Sequence, residues 1–72
     1  MKKYTVVFEQ GANNWGAYVP DLPGCVAIGS SIVETRRRIG EAIEFHIEGM
    51  RSHGEAIPEP TTVAELIEIR AA

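Results

Sequence analysis

The sequence predicts a single α+β domain over residues 1–72, with elements in the order β-β-β-α-β. Three observations carry that prediction. The first thirty residues alternate in polarity between clusters of turn-forming residues. The next twenty or so switch to a helical period, and the tail alternates again. A meander of three antiparallel strands would lead into a helix that packs on one sheet face. A right-handed crossover would then set the fourth strand beside the first and parallel to it.

Each element has its own signal. From Lys3 to Glu9, Tyr4, Val6 and Phe8 fall on one side, and Lys3, Thr5, Val7 and Glu9 on the other. Gln10 to Asn14 is a turn cluster, in which glycine and asparagine tolerate positive φ. Trp15 to Val19 resumes the alternation, so the two runs read as a hairpin. Pro20 ends the second strand, and Cys25 to Ile28 is a short third one closed by Gly29. Ser31 and Glu34 fit a capping box at the helix start. Beyond it Ile32, Ile39, Ile43, Ile47 and Met50 share about 80° of arc at about 100° per residue. Gly54 suits the left-handed position that stops the helix. Ile57 to Thr62, with Pro58 and Pro60, reads as an extended connector. Glu65 to Ala72 alternates as a fourth strand, although Ala64 to Ile69 also fits one helical turn.

Size and charge bound the function. A single core in a chain of 72 residues supplies only about 3–5 kcal/mol, so small domains usually add a disulfide, a metal or a partner subunit. One cysteine makes no internal disulfide, and Cys25, His46 and His53 have no metal-ligand spacing. Self-association is left, as a homodimer or homotetramer covering the open sheet face and edges. Seven Lys and Arg against ten Asp and Glu give net −3, which suits a basic protein partner rather than nucleic acid. No apolar run approaches a membrane span, and the start lacks the apolar core of a signal peptide, so a cytoplasmic protein is expected.

The corner from Tyr18 to Ser31 is unusually stiff. Pro23-Gly24 suits the centre of a type II turn, and Asp21 can bond nearby backbone amides. A structural corner and a partner-contacting loop are both compatible with these residues.

Three segments together carry a resemblance. Val19-Pro20-Asp21-Leu22-Pro23-Gly24-Cys25, Glu41-Ala42-Ile43 within the helix, and Gly54 to Thr61 with its Ile57-Pro58-Glu59-Pro60 core are similar to the HicB-like antitoxin family. The resemblance covers nearly the whole chain. It implies a truncated ribonuclease-H-like domain, which agrees with the order read from periodicity. It also implies a binding module without catalysis, paired with a small basic RNA-cleaving toxin of the HicA type. Many members carry a further C-terminal DNA-binding domain. Here the sequence ends at Ala72, directly after the fourth predicted strand, so a stand-alone member without direct DNA binding is expected. Ser30 and Ser31 stand where the family has Asp-Thr, and "VETRRRIGEAI" replaces its usual helix opening.

The expected partner-binding residues are Asp21 and Leu22 on the loop, with Phe45, Glu41, Glu44 and Glu48 on the helix. Phe45 is a large aromatic on the side away from the apolar stripe, a composition that suits an anchor for a basic partner. Pro20, Pro23, Gly24, Pro58 and Pro60 read as structural loop residues. No catalytic residue, metal or cofactor is expected. Strand one offers only Glu9 where two-metal chemistry needs several carboxylates. Cys25 reads as a small buried hydrophobe and His46 as a helix–sheet boundary residue, with His53 at the surface. Arg36, Arg37 and Arg38 fan out around the helix, and Arg36 falls inside the apolar arc. The reading is an antitoxin-like protein that covers a toxin's active surface. The alternative is a solitary interaction domain of the same fold with no toxin.

Overall fold

Alternation becomes a sheet only where neighbouring backbones can exchange hydrogen bonds, and here that region is short. The computed structural model describes residues 2–71, so Met1 and Ala72 of the expected 1–72 domain lie outside the described residues. Strands β1 (Val7–Gln10), β2 (Trp15–Tyr18) and β3 (Val26–Gly29) form an antiparallel sheet in the order β1-β2-β3. The ladder of β1 starts at Val7 rather than Lys3, because its partner strand ends at Tyr18. Beyond Tyr18 the chain turns away through Pro20, which has no N–H to offer.

The register separates two faces. Phe8, Ala17 and Ala27 stand in one row across the sheet, and Val7, Tyr18 and Val26 in the next. The first row packs with the core, while Tyr18, Val26 and Ile28 remain exposed on the far side.

The helix α1 (Ile32–Ser52) begins and ends where the sequence predicts. The Glu34 amide donates to Ser31 Oγ at 3.1 Å. The Glu34 carboxylate reaches one residue further back than a standard box, accepting from the Ser30 amide at 2.7 Å and its hydroxyl at 3.0 Å. These bonds, the amide first, hold the Glu34 carboxyl below its usual range, with Arg38 and Arg37 assisting against partial desolvation. At the other end Gly54 has φ +69°, and the Glu55 and Gly54 amides donate to the Met50 and Arg51 carbonyls. That is a Schellman closure.

The core is built from both sides of the sequence break. Ala17, Val19, Leu22, Cys25 and Ile39 are buried, with Val6, Phe8, Ala42, Ile43 and Ile47 packed against them. Gly29 lets the start of α1 sit on the sheet. A Cβ there would stand 2.5 Å from Thr35 Oγ1 and 2.9 Å from the Thr35 amide nitrogen. Thr35 is itself fully buried and donates to the Ser31 carbonyl at 2.7 Å. Gly29→Ala therefore lowers stability by about 1–3 kcal/mol, the usual range for overpacking, read as a lower urea midpoint.

Among the described residues the fourth strand expected over Glu65 to Ala72 is not seen, and Ala72 itself lies outside them. Residues 55–71 carry no regular structure, and Val63, Leu66, Ile67 and Ile69 are exposed. The physical reason lies in the connector. Residues 58–62 run alongside residues 2–5, where a strand parallel to the first would begin. They are held there by side chains: the Tyr4 hydroxyl donates to the Pro58 carbonyl, the Thr5 hydroxyl donates to the Thr62 carbonyl, and Lys2 pairs with Glu59. Pro58 and Pro60 have no amide to offer, and Asp21 takes the amides of Thr61 and Thr62, so among residues 58–62 only Glu59 keeps an N–H for a ladder.

Candidate protein-binding surface

The stiff corner after β2 is two turns in succession. The Leu22 amide donates to the Val19 carbonyl at 3.0 Å, and the Cys25 amide donates to the Leu22 carbonyl at 3.0 Å. Pro20 occupies the second position of the first turn. Pro23 and Gly24, the latter at φ +85°, occupy the centre of the second, as a type II turn requires. The Val19 amide then closes the corner on the Cys25 carbonyl at 3.2 Å. Of the residues this corner contributes, Val19, Leu22 and Cys25 are all buried. The loop is first of all a piece of the core.

That architecture separates the loop residues expected at a partner surface. Leu22 is 0% exposed and faces the core, so its side chain is absent from the surface. Asp21 sits at the rim and clamps the connector. Its Oδ2 accepts from the amides of Thr61 and Thr62 at 3.0 and 2.9 Å, and its Oδ1 accepts from their hydroxyls at 3.2 and 2.8 Å. Nothing in the spacing pairs Asp21 with residues forty positions away. A carboxylate in a loop and a Thr-Thr pair after a Pro-x-Pro are the only sequence traces of the clamp.

The clamp has a pH signature. The Thr62 amide, then the Thr62 hydroxyl, hold the Asp21 carboxyl below its ordinary value of 3.8; desolvation opposes this, and Thr61 adds less. An acid with a depressed folded value stabilises the fold above its unfolded value and loses that contribution as pH falls through the folded one. The Thr61 and Thr62 amide resonances should therefore move together as pH drops below 3.8. In Asp21→Asn that transition should vanish. A shift that survives in the variant would place its origin elsewhere.

On α1, Phe45 is 83% exposed, and Glu41, Glu44 and Glu48 are exposed beside it. The structure does bring Phe45 to the loop: Phe45 and Pro23 line one shallow groove with His46, Met50 and Glu55. Glu44 and Glu48 border the neighbouring groove, together with Lys2 and Arg51. Glu41 meets Arg37 one turn back at 3.5 Å. The surface is thus an aromatic knob on a rigid helix, rimmed by carboxylates and abutting a preorganised turn.

The remaining polar residues have local employment. Arg36 lies over the Phe8 ring, 5.7 Å from its centroid, so its place in the apolar arc is a cation–π contact. Arg38 donates to the Ile28 carbonyl at 2.9 Å and lies 3.6 Å from Glu34. With Arg37 on Glu41, each of the three arginines has a partner within the chain. His53 caps the helix, its ring Nδ1 2.7 Å from the Gly49 carbonyl. Burial pushes the Cys25 thiol up, away from the thiolate form that reacts. Cys25 should accordingly resist alkylation in the folded protein and react within minutes in denaturant, a contrast that a thiol reagent measures directly. Glu9 is exposed on β1, and among the described residues no three of His, Cys, Asp and Glu converge as metal ligands. Among the described residues no helix is long and apolar enough to cross a membrane.

Comparison with known proteins identifies a family. The family described as HicB-like antitoxin of bacterial toxin–antitoxin system matches residues 4–71. A UPF0150 protein of Thermoplasma acidophilum is 37% identical over 70 residues, covering 96% of this chain and 99% of that protein. A UPF0150 protein of Helicobacter pylori is 46% identical over 41 residues, 57% of each chain. A 14.9 kDa protein from the rep-hol intergenic region of Haemophilus phage HP1 is 34% identical over 64 residues, 89% of this chain. The chain spans 48% of that phage protein's length. With the family match running over nearly every described residue and the loop and connector motifs both in place, the chain belongs to the HicB-like antitoxin family.

Proposed function

We propose that this protein neutralises a small basic RNA-cleaving toxin of the HicA type by covering its active surface. The observation that supports this most is Phe45, exposed on a rigid helix among Glu41, Glu44 and Glu48 and next to the Pro23 turn. Interfaces draw most of their affinity from a few aromatic anchors, and complementary charge brings the partners together. A toxin that binds RNA carries the basic surface these carboxylates fit. The mechanism is steric: it turns nothing over and uses no cofactor. The work would be done in the cytoplasm, where the toxin's RNA substrate lies.

The test has two steps. The tagged protein is purified from its own cells through a moderate salt wash, and a small basic protein at near-equal amount is identified. That protein's RNA cleavage is then titrated with the purified chain. Suppression that is complete at one-to-one supports the reading; undiminished cleavage at excess overturns it. The exposed Tyr18, Val26 and Ile28 face favours a second reading, a family member that assembles with itself and has no toxin. Recovery of the protein alone would select it.

A further inference from the structure

The segment after Thr62 has the pattern of a strand and none of the bonds. Residues 63–71 make no hydrogen bond to the rest of the chain among the described residues. Leu66 is 103% exposed, and Ile67 and Ile69 are 75% and 76% exposed. The radius of gyration is 14.3 Å, against about 11 Å for a compact domain of this length. The excess is the projecting arm.

The take-off point is fixed. Pro58 and Pro60 keep the connector extended, and Asp21 grips Thr61 and Thr62 with four hydrogen bonds. Exchanging an identical element between copies is a low-cost route to a dimer. The sheet, meanwhile, has two edge strands, β1 and β3. On β3 the outward Ile28 carbonyl is taken by Arg38. On the outer side of β1, among the described residues, no segment is bonded. An unpaired strand edge is a template for an added strand.

We propose that Val63 to Ala71 is an exchange arm that adds as a strand to the outer edge of β1 in a second copy of this chain. The exchange is reciprocal, giving a two-fold dimer in which each sheet gains its fourth strand from its partner. The occupant is the same chain because one molecule supplies both the unpaired alternating strand and the unpaired edge. Nine residues at about 3.3 Å each reach about 30 Å, ample to cross from one copy to the next and cover four-residue β1. The alternation gives two faces: Val63, Ile67 and Ile69 share one with Glu65 and would continue the Phe8 row, and Leu66, Glu68 and Arg70 share the other. This assembly is independent of any toxin.

Light scattering on the purified full-length protein reads the mass, which should be that of two chains. In Ile67→Glu/Ile69→Glu the dimer should weaken by about tenfold for each side chain, and the circular dichroism of the monomer should stay unchanged because the arm supports nothing in its own chain. Nuclear magnetic resonance on a mixture of labelled and unlabelled copies should place the Ile67 and Ile69 methyls against Phe8 of the other copy. A monomeric wild type, a double variant that keeps the dimer mass, or arm contacts away from β1 would each overturn the proposal.

Discussion

Leu22→Ala should leave much of the protein unfolded at 25 °C. Leu22 is 0% exposed and lies in the centre of the cluster formed with Ala17, Val19, Cys25 and Ile39. Truncating a buried leucine costs about 2–5 kcal/mol, the spread depending on how far the site collapses. Collapse is restricted here. Leu22 sits between two consecutive turns whose φ angles are set by Pro20, Pro23 and Gly24, so its backbone cannot follow the lost side chain inward. A domain this small has about 3–5 kcal/mol from its core to lose. Urea unfolding followed by far-ultraviolet circular dichroism measures the outcome: the folded baseline should shorten or disappear. A midpoint that moves as little as that of an exposed substitution would mean the loop is not part of the core.

The two leucines of the sequence show what could and could not be read without coordinates. Leu22 stands in a proline- and glycine-rich corner that looks like surface, and Leu66 in an alternating run that looks like a strand. The structure reverses both: Leu22 is buried and Leu66 is fully exposed. Local pattern reports which face a residue shares with its neighbours, and it reports this well for Phe8, Ala17 and Ile39. It does not report whether a second segment arrives to cover that face. The caps of α1 were legible because their bonds span five residues or fewer. The Asp21 clamp was not, because its bonds span forty. The fourth strand failed for the same reason: alternation in the tail is genuine, but the connector before it has its Thr61 and Thr62 amides bound by Asp21, forty residues away, instead of by a neighbouring strand. Among the candidate site residues, Phe45 was legible as an aromatic on the wrong side of an amphipathic helix, and its neighbour Pro23 was not.

Phe45→Ala should cost the complex with its toxin about 2 kcal/mol or more, roughly thirtyfold in Kd, without touching the fold. The two halves of that expectation rest on the same fact. An 83% exposed side chain contributes little to folding, so the unfolding midpoint should move by no more than about 0.5 kcal/mol. The same exposure makes the ring available as an anchor, next to a turn whose rigidity keeps the entropy of docking low. Kinetics separate the ring from the carboxylates around it. Losing an anchor accelerates dissociation, whereas Glu44→Gln/Glu48→Gln should slow association and flatten its dependence on salt. The pair of variants thus distinguishes an aromatic hot spot in an acidic field from a face that binds by charge alone. Faster dissociation in the first and slower association in the second is the expected result. If Phe45→Ala dissociates at the wild-type rate, the helix face does not carry the complex. The open sheet surface around Tyr18, Val26 and Ile28 then becomes the place to look, because three large apolar side chains stand exposed there on one rigid face.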